Sequence, residues 1–278
     1  FAIAQADAPT NIRNGALNVI NGTKLKYTYD AKQLLPDAPK GTYGNVSYNC
    51  RFSFNLENGY YVDDIAIDDS VLTLTIAALS GRETGKIGTI PIYITTDNYE
   101  SFDLPLDLYA VDKITPVVDG DITASNITYS DELSKSTISG KMKNPTTGDE
   151  VKGTFAWTDG TIKPAASDNY EAEWTFTPAA GYEKYATATG TVTVKVNKAT
   201  PTFTAPTAQE NLTYTGQEQA LITAGMTDHG TMQYSLTENG TYSQDIPTGT
   251  DAGAYTVWYR VIGDENHNDT TPASVPVR

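Results

Sequence analysis

Residues 191–196 read Thr191-Val192-Thr193-Val194-Lys195-Val196. Successive side chains of an extended chain point to opposite faces. This stretch therefore puts three valines on one face and Thr, Thr and Lys on the other, the pattern of a half-buried β-strand. Moving outward, Tyr170-Glu171-Ala172-Glu173-Trp174-Thr175-Phe176 alternates in the same way, with Tyr170, Ala172, Trp174 and Phe176 inward. Thr154-Phe155-Ala156-Trp157 is a shorter strand. Towards the C-terminus, Ala254-Tyr255-Thr256-Val257-Trp258-Tyr259-Arg260-Val261 puts Tyr255, Val257, Tyr259 and Val261 on one face, and Met232-Gln233-Tyr234-Ser235-Leu236 is its expected partner. Towards the N-terminus, Val71-Leu72-Thr73-Leu74-Thr75-Ile76 and Ile90-Pro91-Ile92-Tyr93-Ile94-Thr95 are strands. Pro91 predicts a strand start or a sheet edge, because proline cannot donate to a ladder. Turn clusters such as Thr158-Asp159-Gly160, Glu238-Asn239-Gly240 and Gly249-Thr250-Asp251-Ala252-Gly253 separate the strands. Asp30-Ala31-Lys32-Gln33-Leu34-Leu35 can make one helical turn before Pro36. Short strands with regular turns predict an all-β chain built of β-sandwiches.

The chain also repeats itself. Lys113-Ile114-Thr115-Pro116 returns 85 residues later as Lys198-Ala199-Thr200-Pro201. Asn126-Ile127-Thr128-Tyr129-Ser130 returns at the same spacing as Asn211-Leu212-Thr213-Tyr214-Thr215. Two anchors in one register indicate two homologous modules, and the prolines in short polar stretches mark boundaries. Ala6-Asp7-Ala8-Pro9 resembles the same linker, with Gln5 in place of its Lys. The expected division is 1–112, a module of distinct type with 1–9 a remnant linker, then 113–198 and 199–278. At roughly 100–150 residues per domain, 278 residues suit two or three domains.

Composition agrees. Charged residues are 19%, and 18 Tyr, 7 Phe and 3 Trp supply apolar bodies large enough for small cores. The net charge of −15 repels phosphate backbones, which argues against nucleic-acid binding. Cys50 is the only cysteine, so no internal disulfide forms. It reads as a small buried hydrophobe, and a reactive thiol would need a neighbouring base. No apolar run approaches the ~18 residues of a membrane-spanning helix. Phe1-Ala2-Ile3-Ala4 shows no signal peptide, so an export signal or anchor is expected outside the sequence given.

The last third carries Leu212-Thr213-Tyr214-Thr215-Gly216, Tyr234-Ser235, and a run from Asp251-Ala252-Gly253 through Val257-Trp258-Tyr259-Arg260 to Gly263-Asp264. It resembles the immunoglobulin-like repeats of large Gram-positive cell-surface proteins, with His267 where such repeats usually have Tyr. The stretch from Ile127-Thr128-Tyr129-Ser130 to the closing valines resembles a divergent copy. Leu34-Leu35-Pro36, Gly88-Thr89-Ile90-Pro91-Ile92, Thr96-Asp97-Asn98-Tyr99 and Asp112-Lys113 resemble a second repeat type of the same proteins. The resemblance covers nearly the whole chain. It implies three tandem immunoglobulin-like modules in an extended array, exposed on a cell surface or wall and adhesin-like, and it supplies no catalytic residues. A disulfide-free exported chain suits that setting.

The search for chemistry gives little. His229 and His267 both fall in turns, and no Gly-x-Ser-x-Gly elbow accompanies them. Asp63-Asp64 and Asp68-Asp69 are paired carboxylates, but a glycosidase would also need a sugar cleft on a larger scaffold. Asp119 and Asp121, and the stretch from Asp264 to Asp269, are candidate calcium ligands, with solvated acidic turns as the alternative. An isopeptide bond would draw on residues such as Lys195 and Asn126, although Lys195 falls on the polar face of its strand. Trp258 lies opposite the Tyr255-Val257-Tyr259-Val261 face, where it either stacks on a glycan or packs on protein. Tyr60-Tyr61 is ambiguous in the same way. The expectation is a non-enzymatic, cofactor-free, monomeric stalk or spacer. The alternatives are a module binding host or matrix glycan or protein, and an accessory region of a surface hydrolase.

Overall fold

A computed structural model describes residues 2–50, 56–57, 59–77 and 83–278. Apart from two single 3-10 turns, at Ala31–Leu34 and Leu133–Lys135, the regular structure is β. Contacts divide the chain into two compact units. One consists of residues 1–116, 144–152 and 178–186, the other of 117–143, 153–177 and 187–278.

The first unit is dominated by a seven-stranded sandwich. Its strands are β1 (Gly15–Ile20), β2 (Leu25–Asp30), β3 (Val46–Cys50), β4 (Tyr61–Asp68), β5 (Val71–Ala77), β6 (Gly85–Thr96) and β7 (Phe102–Val111). One sheet runs β2-β5-β4 and the other β1-β7-β6-β3, with β1 parallel to β7. Strands two, five and four in one sheet, against three, six and seven in the other, is the immunoglobulin arrangement. Period-two burial builds the interior: Leu72, Leu74 and Ile76 of β5 face Ile90, Ile92 and Ile94 of β6 and Leu104, Leu106 and Leu108 of β7 in one apolar cluster. Cys50 packs half-buried against this core.

Pro91 corrects a sequence expectation. It lies in the middle of the twelve-residue β6, directly opposite Pro105 of β7. Opposed residues of an antiparallel pair alternate between bonded and non-bonded positions, and at the latter no N–H crosses between the strands. Two prolines facing each other fit the non-bonded position, so β6 continues through them.

In the second unit a four-stranded sheet has the order 127–128, 188–197, 167–178, 153–157. Ile127 and Thr128 run parallel to Val196 and Asn197. Val192, Val194 and Val196 are buried and their neighbours exposed, as the alternation requires. Further along, Gly230–Ser235, Tyr255–Gly263 and Ala273–Val277 form a three-stranded antiparallel sheet. Two apolar clusters of this unit are distinct. Ile127, Leu133, Ala172, Val194 and Val196 make one; Leu221, Ile222, Met232, Tyr234, Val257, Val261 and Val277 make the other.

The sequence repeat is also a repeat of pairing. Ala124 opposes Ile138 as Ala208 opposes Ile222, and Val118 opposes Met142 as Phe203 opposes Thr227. Tyr170-Val194, Ala172-Val192 and Trp174-Gly190 correspond to Tyr255-Val277, Val257-Val275 and Tyr259-Ala273. One further device occurs three times. Ala6, Ile114 and Ala199 each form an isolated parallel bridge to an aromatic residue in a tight turn, respectively Tyr99, Tyr185 and His267. Residues 114 and 199 belong to the two copies of the linker motif, and Ala6 to its N-terminal trace.

Candidate metal centre

The third of those turns is built by two glycines. The antiparallel register of 230–235 with 255–263 ends at Gly230 opposite Gly263. Gly230 has a φ of 128°, and a Cβ there would lie 2.1 Å from the Ile262 carbonyl oxygen. A Cβ on Gly263 would lie 2.2 Å from the His267 carbonyl oxygen. Without side chains the two strands close up, and the residues just beyond, His229 and Asp264, become neighbours: Asp264 N donates to His229 O at 3.3 Å. The chain then turns on itself. His267 N donates to Asp264 O at 3.3 Å, and Asn266 N donates to Asp264 Oδ1 at 2.8 Å.

This turn delivers His267 onto Asp264. Its Nδ1 lies 2.7 Å from Asp264 Oδ1. The hydrogen bond from His267 is the main reason the Asp264 carboxyl is held below the usual carboxylate range, with the bond from Asn266 N contributing less. The His267 residue is only 6% exposed. The half-buried His229 stacks on it, with ring centroids 4.2 Å apart and an interplanar angle of 28°. Tyr129 meets the His267 ring edge-on at 5.2 Å. One donor atom from each of His229, Asp264 and His267 lies within 4.8 Å of the other two, the only such group of three or more His, Cys, Asp or Glu among the described residues.

The equivalent turns carry different chemistry. Tyr99 Oη accepts from Lys40 N at 2.7 Å and donates to Lys40 O. Tyr185 Oη accepts from Asn144 Nδ2 at 3.1 Å. Both tyrosines tie down a nearby loop, whereas at the third turn the aromatic position is filled by an imidazole beside a second imidazole and a carboxylate.

The structure disperses the other candidates. Asp119 is exposed and paired with Lys143 at 2.8 Å, which lowers its pKa; Asp121 is exposed. Asp269 lies outside the group and accepts from Gly263 N at 2.9 Å. Trp258 is half-buried, in register between Ser235 and Ser274, and its strand neighbour Arg260 stands over the Tyr242 ring at 4.4 Å. Lys195 is engaged by Asp168 at 2.8 Å, and Asn126 is exposed. Tyr60 is buried and Tyr61 exposed, opposite sides as their adjacency requires. Burial pushes the Cys50 thiol up, which makes it a poorer nucleophile.

Known proteins add little. No family model matches the chain, and no curated protein matches it. Solved structures similar to it include a Drosophila N-cadherin fragment (11% identity, 99% of each chain covered, TM-score 0.29). A three-domain I-band fragment of titin (12% identity, 96% of this chain and 95% of that one, TM-score 0.28) and mouse cadherin-23 (15%, 97% and 95%, TM-score 0.28) are others. At these TM-scores the likeness has no bearing on activity, and the immunoglobulin-like assignment rests on strand order and pairing.

The grouping of His229 with Asp264 and His267 escaped the sequence reading. The signal was present: pairing Met232–Leu236 with the 254–261 strand in the observed register sets residue 229 opposite residue 264. Only the turn that folds His267 back had no alternation to announce it.

Proposed function

We propose that this chain is a non-catalytic spacer segment of an extracellular, adhesin-like bacterial surface protein, made of three modules spanning 1–112, 113–198 and 199–278. The observation that carries the reading is the linker bridge repeated at Ala6–Tyr99, Ile114–Tyr185 and Ala199–His267. Each bridge ties the start of a stretch to a turn near its end, and each stretch encloses apolar clusters of its own. Units closed in this way can be strung together without depending on one another's interiors, which is what a spacer needs. The side-chain inventory fits the same role. Among the described residues several acidic groups are engaged in structural pairs, such as Lys24–Asp63, Lys86–Asp107 and Lys143–Asp119. No helix of the described residues is long and apolar enough to cross a membrane.

Small-angle scattering and stepwise unfolding test the proposal together. The expected outcome is an elongated particle whose maximum dimension is several times the width of one module, with more than one unfolding transition. A compact envelope with a single cooperative transition sinks it. For the alternative of a glycan-binding module, the half-buried Trp258 is the residue to follow: a glycan array that stays silent with the intact chain removes that reading.

A further inference from the structure

We propose that His229, Asp264 and His267 bind one divalent transition-metal ion of the zinc class. Three observations converge on it. First, the position of His267 belongs to a thrice-used turn whose other two occupants are tyrosines with protein partners for their hydroxyls. The imidazole at the third turn comes with a carboxylate at 2.7 Å, which also accepts from Asn266 N within the turn, and with a second imidazole 4.2 Å away whose ring closes no bond of the turn. Second, the donor atoms lie within 4.8 Å of one another on a backbone pinned by two glycines and by the bridge from Ala199 to His267. Zinc–nitrogen bonds of ~2.0–2.1 Å in a tetrahedral arrangement set ligand atoms ~3.3 Å apart. Rotation of the His229 ring out of its stack, with a slight opening of the Nδ1–Oδ1 contact, reaches that spacing. The ion then replaces the proton between His267 and Asp264, and solvent completes the shell on the side of Asp264, which is more open than His267. Third, two imidazoles and one carboxylate suit zinc, cobalt or nickel, whereas calcium requires six to eight oxygens. The site therefore selects against the ion that acidic turns first suggest.

The location gives the ion a role. The 264–268 turn is held by residues from the preceding stretch. Ala166 N donates to Asn266 Oδ1 at 2.9 Å, Lys198 Nζ to Asp264 O at 3.1 Å, and Asn268 Nδ2 to Lys198 O at 3.1 Å, while Tyr129 packs on the His267 ring. An ion fixing His267 to His229 locks this turn to the start of the Gly230–Ser235 strand. It stiffens the joint between the stretches on either side of Lys198.

The test uses the intact chain, free of any affinity tag and stripped with chelator. Calorimetric titration with Zn²⁺ is expected to show one equivalent bound, Co²⁺ to give the visible absorption of a low-symmetry nitrogen–oxygen site, and Ca²⁺ to give neither. His267→Tyr installs the residue found at both sister turns, so the fold is retained, and affinity for Zn²⁺ is expected to fall at least tenfold. His229→Ala, at a half-buried position, is expected to do the same, each protein being checked by circular dichroism. Failure of the unsubstituted chain to bind Zn²⁺ or Co²⁺, or retention of full affinity in both variants, overturns the proposal.

Discussion

Asp107 shows how a single residue can be costly and still stabilise. It sits on β7, 6% exposed, between the fully buried Leu106 and Leu108. An unpaired carboxylate there would be strongly unfavourable. Three donors prevent this: Lys86 Nζ at 2.7 Å, Thr89 Oγ1 at 2.6 Å and Asn14 Nδ2 at 2.9 Å. Together, Lys86 first, they lower its pKa from 3.8 to about 2. The sign follows directly. A depressed carboxylate pKa means stability that is present above the unfolded value and lost as pH falls through the folded one. The first sandwich is therefore expected to lose stability between pH 3.8 and about 2. Asp107→Asn is expected to cost about 1–3 kcal/mol at neutral pH, by weakening charge-assisted bonds, and to flatten the profile in that acid window. Denaturant melts of the two proteins at pH 7, 4 and 2.5 check both. Equal pH slopes would show that the network stabilises nothing.

At the scale of the strand, the two copies of the repeat solve one packing problem in two ways. Trp174 faces Gly190 across its ladder, and Tyr259 faces Ala273 at the equivalent place. The indole is 3% exposed, edge-on to Phe155 at 5.2 Å. A Cβ on Gly190 would lie 2.5 Å from its Cζ2, so the larger ring requires the smaller residue. Gly190→Ala is expected to destabilise the middle stretch by about 1–3 kcal/mol through overpacking, despite alanine's lower backbone entropy cost. Combining it with Trp174→Tyr recreates the pair found in the other copy. The double variant is expected to be more stable than the sum of the single losses predicts, by at least about 0.5 kcal/mol. Strict additivity in thermal melts would refute the coupling. These long ladders are the part of the fold most legible in sequence, because period-two alternation reports directly which face is buried: Val192, Val194 and Val196 needed nothing else. The two-residue ladders at 123–124 with 138–139 and at 207–208 with 222–223 are too short to alternate, so sequence alone leaves them as loop. Pro91 misled for a related reason. Its tolerance depends on the residue opposite, Pro105, and a cross-strand partner cannot be read from local pattern. The His229, Asp264 and His267 group lies at the same limit, since its members meet through a register and a turn and not through a motif.

For the whole molecule the question is how far stability is shared along the chain. The apolar clusters are separate: one draws on residues of β1 to β7, another on Ile127 to Val196, a third on Leu221 to Val277. Hydrophobic stabilisation comes from area removed from water, and area belongs to the cluster that buries it. A cavity opened in one cluster should therefore be felt there and little elsewhere. Leu74 is a direct probe, since it is fully buried in β5 between Tyr27 of β2 and Ile65 of β4 in register. Leu74→Ala is expected to cost about 2–5 kcal/mol. If the chain is a string of self-contained modules, the loss appears as faster amide exchange along β1–β7, while amides of 170–176, 191–196 and 255–261 keep their protection. A uniform fall in protection along the whole chain would mean one cooperative unit. It would remove the physical basis for a spacer that can be extended by adding copies. The intermediate result, in which protection falls in β1–β7 and also at the turn around Tyr185 that bridges to Ile114, would identify the linker bridge as the route by which one stretch supports the next.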